Sequence, residues 1–568
     1  MTNDTRNDEA ETPAKLSAPA LSSRLIHQCR LLLAEIDVFQ NAVASRFRKH
    51  QQQQHLVELR LLRSSVATEL KILERLSGDA NALMEERHAK RQKGEDDDDD
   101  DFEMKEGRIL HTLRSSNLSF HVAVWTIAKQ YCEGVVAFSK RFYGVGHGQQ
   151  QQQDDEMSDK EGKHNKAVSK DKRKGVFVDI VYRNGEEWLK VLTLSESRLL
   201  FEMAEKGWGM DDEYDDYDDG DLQDIQKRTI LQNSSKMVPT GGYLEDDFED
   251  DDDQLEMIKM AADMIKVARA TRVRYKNPRV RIIAPRLEEG KIPEVDRILN
   301  IVRGYGVAIE CGTKVPDVFN EETNDQRDPH SITESDLPIS TMLPNPFKEF
   351  TDTINVDCTL LLAVVSELSH KRHITPSPKY HRAILRQIEV ENELPLLPAE
   401  LWPAMTNRKL VCTEEAVTRM KEIVGTIGTE SEKLRTAIFL GEGDMEGLET
   451  DTLLSKFQQL SDHPIPNQLQ IPIQVVDAHA EIDAALQQNK FPPVFHKVTE
   501  FLTDINRSVF LYGWATGIVT ITSNNTVVRQ IENTIERNRG DDDAMEGPKT
   551  WVCDTARSLI GKEKNRKP

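Results

Sequence analysis

Apolar residues first recur at helical spacing from Leu21. Leu25, Leu32, Ile36 and Phe39 fall on one stripe, and Leu59, Leu62, Val66, Leu70, Leu73 and Leu76 repeat at intervals of three and four. This pattern predicts a long helical hairpin, weakly interrupted at Gln51–Gln54. Residues 106–142 read as helical again, with Val122, Trp125, Ile127, Val135 and Phe138 supplying bulk. The period then changes to two. Val176, Val178, Ile180 and Tyr182 form one face of a strand, Asn184-Gly185 is a hairpin turn signal, and Trp188-Leu-Lys-Val191 returns. A helix over Leu255–Arg269, a strand Val280–Ala284, a helix Val295–Val302 and a strand Val307–Glu310 predict a β-α-β unit.

The second half alternates strands and helices. Thr353–Val356 reads as a strand running into a helix that carries Leu360, Leu361, Val364, Val365 and Leu368. Leu410-Val411 precedes a helix at 414–424. Ile471–Val476, Val509–Tyr512 and Ile518–Thr522 read as strands, the last followed by a helix from Asn525. Such alternation predicts an α/β fold with a largely parallel sheet.

Charge divides the chain further. The 568 residues carry 74 Lys and Arg against 97 Asp and Glu, a formal charge of −23. The acids are bunched: Glu95–Asp101 holds seven, Asp211–Asp221 eight, Glu245–Asp253 eight and Asp541–Asp543 three. Without these 26 acids the charge is +3, so the excess belongs to segments that repel themselves and stay solvated. With the Gln-rich stretch, they mark inserts at 94–105, 148–173, 210–222 and 245–253 that are expected to lack regular structure. The resulting organisation is a polar tail at 1–17, a helical and α/β domain at 18–315, a linker at 316–346, an α/β domain at 347–538 and a tail from 539 to 568. Six scattered cysteines, none in CxxC spacing, and a polar N-terminus predict a cytoplasmic or nuclear compartment. The longest apolar run, Cys358–Val365, is too short for a membrane span.

No phosphate-binding loop, GxSxG elbow or HExxH zinc helix occurs. The first chemical candidate is Asp357, which directly follows a strand; Asp477 repeats the arrangement after Val476. Ligand sites in open α/β sheets lie at the carboxyl ends of strands, and two such aspartates brought together would suit a hard divalent cation. Asp after a strand is equally the ordinary N-cap of the next helix. Asp179 with Glu187 and Lys190 resembles a restriction-endonuclease pattern, but Glu187 and Lys190 fall on opposite faces of one strand. A solvated hairpin with a packed Trp188 is the expectation there. A third candidate is basic. Arg269–Arg281 has six cationic residues in thirteen, and Arg272, Arg274, Lys276, Arg279 and Arg281 with Tyr275 form a candidate nucleic-acid contact. Pairing with the chain's own acids is the competing fate.

Asn355-Val-Asp-Cys-Thr-Leu-Leu-Leu-Ala-Val-Val-Ser-Glu-Leu-Ser369 and Val519-Thr-Ile-Thr-Ser-Asn-Asn-Thr-Val-Val-Arg529 resemble segments of the eukaryotic domain-of-unknown-function 1308 family. Ser115–Ser119 and Val176–Val191 resemble its N-terminal region. The resemblance implies a C-terminal domain similar to PIN-like nucleases, small α/β folds in which several acids hold Mg²⁺ or Mn²⁺ and cleave RNA. On that resemblance Asp357 matches the first acid, Glu415 or Glu422 the second, and Asp477 a looser one. The late acid is replaced by Ser523, Asn524 and Asn525, with Asn524 a neutral metal-ligand candidate. Fewer carboxylates weaken a two-metal mechanism.

The fold expected is therefore α/β: a helical hairpin with a small α/β unit, then a PIN-like domain. The leading expectation is a nuclease-degenerate protein in nucleic-acid-linked or assembly work, with no certain cofactor. Its alternatives are a Mg²⁺- or Mn²⁺-dependent ribonuclease centred on Asp357, and a scaffold binding basic proteins through its hairpin and acidic loops. RNA and basic proteins are the partner classes; a membrane is not.

Overall fold

A computed structural model describes residues 16–46, 57–93, 99–144, 175–208, 254–312, 327–378, 380–553 and 558–560. These fall into two compact units. The first takes residues within 1–43, 57–271 and 278–344; the second takes those within 44–56, 272–277 and 345–568. The inserts at 148–173, 210–222 and 245–253 lie outside the described residues.

In the first unit, helices α1 (Ala18–Arg46) and α2 (Arg60–Lys93) run antiparallel. Contacts pair Asp37 with Arg63, Arg30 with Glu74 and Ser22 with Ser77. Helix α3 (Asp99–Arg114) follows. The acidic run at 94–105 was expected to be irregular throughout, yet from Asp99 onward it is helical. Acids are favoured in a helix's first turn by the macrodipole. Phe102 supplies the apolar anchor, buried beneath the Arg87 guanidinium at 4.0 Å. Helix α4 (Leu118–Tyr131) ends before strand β1 (Ala137–Tyr143), so the helical reading of 106–142 fails at its end. Gly134 takes a left-handed φ of 61° there, and Ser139, at φ 56°, is skipped in the β1–β2 register. Strands β2 (Gly175–Tyr182) and β3 (Glu187–Val191) extend β1 as an antiparallel meander. Strands β4 (Arg279–Ala284) and β5 (Ala308–Cys311) then add in parallel. Helix α5 (Glu196–Glu205) follows β3. Helices α6 (Glu256–Arg269) and α7 (Pro293–Gly304) pack Ala261, Met264, Ile298 and Val302 with Val280 and Ile282 of β4. Phe39 of α1, Trp125 of α4 and Phe138 of β1 form an aromatic chain that ties the hairpin to this sheet.

Residues 327–344, expected as linker, are packed into the first unit. Ile339 and Met342 are fully buried, and the Gly134 and Val135 amides donate to the Thr341 and Met342 carbonyls.

The second unit is a parallel sheet of five strands: β6 (Thr353–Val356), β7 (Lys409–Thr413), β8 (Gln474–Val476), β9 (Val519–Thr522) and β10 (Thr550–Val552). Their order is β10-β9-β6-β7-β8, parallel at every junction. The segment from 539, expected as a tail, thus supplies an edge strand. Helices α8 (Cys358–Val365), α9 (Arg382–Glu393), α10 (Glu414–Ile427), α11 (Glu430–Leu440) and α12 (Thr450–Gln458) come between the first three strands. Helices α13 (Ala478–Gln487), α14 (Phe495–Phe501) and α15 (Asp504–Thr516) separate β8 from β9, and α16 (Asn525–Asn538) follows β9. Two apolar cores result, one holding α8 and α10–α12, the other α13–α16. Val509–Tyr512, expected as a strand, lies within α15. That helix is capped by the Thr503 side chain, which accepts from the Asn506 amide, and closes at Gly517 with φ 70°.

Candidate functional site

The strand order places a switch point in the second sheet. From β6 the chain adds β7 and β8 on one side, then returns to add β9 and β10 on the other. Because all five strands are parallel, every carboxyl end meets one edge. In open α/β sheets ligands bind at that edge, where the order reverses. Here the reversal lies between β6 and β9, whose last residues are Val356 and Thr522.

Asp357 stands at that point, only 3% exposed. Its Oδ2 accepts from the Thr359 hydroxyl at 2.6 Å and the Thr522 hydroxyl at 2.7 Å. Thr359 Oγ1 in turn accepts from the Ser523 amide at 3.0 Å, and Thr522 Oγ1 from the Asn524 amide at 2.9 Å. Burial holds the Asp357 carboxyl above the usual carboxylate range, against the opposing pull of these hydroxyl donors. The neighbouring Cys358 thiol is pushed up to about 12, chiefly by burial and further by Asp357. Beneath the edge, Asn355 Nδ2 donates to the Val509 carbonyl at 2.9 Å and to Thr520 Oγ1 at 3.1 Å, and Thr413 and Ser508 share a bond at 3.0 Å. The two strands at the switch point are therefore laced by short polar side chains.

Glu415 stands in the first turn of α10, its Oε1 3.0 Å from His479 Nε2. His479 stands in the first turn of α13, which Asp477 caps by accepting from the His479 and Ala480 amides at 2.9 and 3.3 Å. So β7 and β8 bring Glu415 and Asp477 to one locality through His479. Glu422 lies two turns farther along α10, about 10 Å by helical rise, and pairs with Arg419 at 2.9 Å. Asn524 caps α16, its Oδ1 accepting from the Val527 amide at 3.3 Å. Among the described residues no three His, Cys, Asp or Glu side chains gather in a group able to hold a metal ion. Mg²⁺ or Mn²⁺ at Asp357 would need further charged oxygens; the residues bonded to Asp357 present neutral hydroxyls that donate to it, so this pocket does not fit the ion. The partners Thr359 and Thr522 were not singled out from the sequence. Thr359 had a local signal, a hydroxyl two residues after a strand-terminal Asp; Thr522 had none.

The basic stretch is shared between the units. Val273 and Lys276 exchange backbone bonds of 2.8 and 3.0 Å around Arg274 and Tyr275, whose φ values are 49° and 72°. This tight turn seats Tyr275 in the second core, with Arg539 donating to its carbonyl at 3.3 Å. Arg272 pairs with Asp543, Arg274 with Glu349 and Lys276 with Glu546. In the first unit Arg279 pairs with Glu187, and Arg281 with Glu310. Each of the five singled-out cations therefore meets a carboxylate of this chain. Asp179 and Lys190 pair across β2 and β3 at 3.1 Å, while Glu187 bonds the arginines Arg183 and Arg279 instead. Trp188 is fully buried and stacks on Phe142.

Residues 354–448 match the family described as Protein of unknown function (DUF1308), the family whose segments the sequence resembled. No curated protein and no solved structure matches the chain. Among the described residues no helix is long and apolar enough to cross a membrane.

Proposed function

We propose that the second unit, whose residues 354–448 match that family of unknown function, is a PIN-like module that has given up metal-dependent hydrolysis and serves nucleic-acid-linked or protein-assembly work. One observation carries this reading: the Asp357 carboxylate is buried and its Oδ2 is taken up by two threonine hydroxyls. A hydrolytic centre of the two-metal kind needs several charged oxygens open to water and substrate. Here the Asp357 carboxylate at the switch point ties β6 to β9. The parallel five-stranded sheet agrees with the α/β class that a PIN-like module would have, and fold alone does not fix activity.

The ribonuclease alternative draws on Glu415 and Asp477, each of which contacts His479, one through its ring and the other through its amide. One experiment separates the readings. The full chain is incubated with labelled single-stranded RNA and Mn²⁺ or Mg²⁺, beside an Asp357→Asn variant. The proposal expects no cleavage above buffer and no thermal shift with either ion. Mn²⁺-dependent cleavage that disappears in the variant would overturn it. The scaffold alternative needs an apolar stripe on the hairpin. On α2 the exposed Leu61 and Ile72 share a face, but Ser65 and Thr68 lie between them.

A further inference from the structure

A second feature, independent of Asp357, lies at the amino ends of β3 and β4 in the first unit. Glu187 Oε1 accepts from Arg183 Nη1 at 2.6 Å and from Arg279 Nη2 at 2.7 Å. Tyr182 adds its phenol to Glu187, and Arg281 donates to that phenol at 3.1 Å while pairing with Glu310. Three arginines and two carboxylates make this cluster +1. Its layering matters more than its sum. The Glu187 side chain is 8% exposed, whereas those of Arg183 and Arg279 are 46% and 70% exposed. The acid lies inside and the guanidiniums face water.

Two further facts make this more than a surface ion pair. A guanidinium carries five N–H donors. Among the described residues Arg183 and Arg279 each spend one of them, both on the same oxygen. Arg183 is also held in place at a conformational cost. It and Asn184 take φ values of 49° and 55°, a left-handed pair closing the β2–β3 hairpin. The Arg183 amide is pinned to the Glu133 carbonyl at 2.9 Å. A side chain on a strained, anchored turn loses less freedom when it binds.

We infer that Arg183 and Arg279, splayed from the shared Glu187 carboxylate, form a clamp for a phosphate group. Planar guanidinium forks match the paired oxygens of phosphate, and two of them can each add N–H donors to one group. The group could belong to an RNA backbone or be free phosphate; the chemistry is the same.

The test uses the full chain at low salt, with anisotropy of a labelled short single-stranded RNA and displacement by inorganic phosphate. Arg183→Gln and Arg279→Gln are compared with Arg419→Gln, which removes the same charge from α10. The clamp predicts roughly a tenfold loss of affinity for each of the first two variants and little change for the third. Two contacts to a single strand predict a slope of about −1.4 in log affinity against log salt. Displacement by inorganic phosphate at matched phosphate concentration assigns the site to free phosphate; failure to displace assigns it to the RNA backbone. Glu187→Gln, which keeps an acceptor and removes the shared charge, should tighten binding. Melting curves of all four variants show whether each is folded. Absence of binding at low salt, or loss no greater in Arg279→Gln than in Arg419→Gln, overturns the inference.

Discussion

The Thr522 hydroxyl donates to the Asp357 carboxylate over 2.7 Å, joining the last residue of β9 to the residue just after β6. The bond closes the place where the strand order reverses, so the carboxylate serves first as a fastening. Its environment then makes its charge a liability, since burial disfavours the ionised form.

Substitution of Asp357 by Asn tests that statement. The folded carboxyl is held above its unfolded value, so the folded chain keeps a proton that the unfolded chain loses. Stability from this group is complete below the ordinary carboxylate range and is lost as pH rises through the raised folded value. Asp357→Asn removes the dependence. The melting temperature of the variant relative to the native chain should therefore rise between about pH 4 and about pH 7. A difference that stays flat across that range would show a carboxylate indifferent to its burial.

Gly513 sits on α15 where the helix crosses β9. A Cβ added there would lie 2.1 Å from Thr520 Oγ1. Gly513→Ala should thus destabilise by about 1–3 kcal/mol despite the better helix propensity of alanine. Urea unfolding measures it, and a Gly513→Ala, Thr520→Ala pair should recover part of the loss. A stabilised single variant would mean that α15 can lift off the sheet without cost.

Arg435 is fully buried on α11. It donates to the Leu460 carbonyl at 3.1 and 2.6 Å, to the Val365 carbonyl at 3.2 Å and to Glu367 at 2.8 Å. Arg435→Met conserves much of the volume and leaves these acceptors unmet, at a cost of about 3–5 kcal/mol. Arg435→Lys should rescue only part, because one ammonium cannot span carbonyls on separate segments. Equal stability of the Met and Lys variants would contradict the bonding role.

His370 is wholly buried, with Nε2 2.6 Å from the Val364 carbonyl. Burial holds its imidazole well below the ordinary histidine value, helped by the nearby Arg435. Below the ordinary value the unfolded chain takes a proton that the folded chain refuses, so stability falls as pH drops from about 7 to about 5. His370→Gln should reduce that fall, read as the slope of unfolding free energy against pH. An unchanged slope would assign the acid sensitivity to other groups.

The β6-Asp357-α8 passage was legible because a β-branched strand, an Asp and a long apolar helix follow one another directly in sequence. The same apolar density misled at Val509–Tyr512, where four bulky residues in a row fit a strand or a buried helix equally. The caps that decide it, Thr503 and Gly517, stand outside the run. The acidic stretch from Asp99 became helical because its charges suit a first turn and Phe102 found a core. At the candidate site, the strand ends carrying Asp357 and Asp477 were readable from periodicity. The bond partner Thr522 was not, since it lies 165 residues from Asp357 and meets it only through strand order. For the basic stretch, composition exposed the cations but not their counter-charges, because Asp543 and Glu546 come from the far end of the chain.

The turn that seats Tyr275 changes how this protein can be divided. Arg272–Asn277 belongs to the second unit, although the residues on either side of it in sequence belong to the first. Gly547 stands so close to the Tyr275 ring that a Cβ there would lie 2.4 Å from Cζ. A fragment starting at residue 345 would therefore expose Ile535 and Gly547 around an empty ring-shaped slot. During synthesis the ribosome delivers this plug long before the socket, so the second unit closes only around a hexapeptide made in advance.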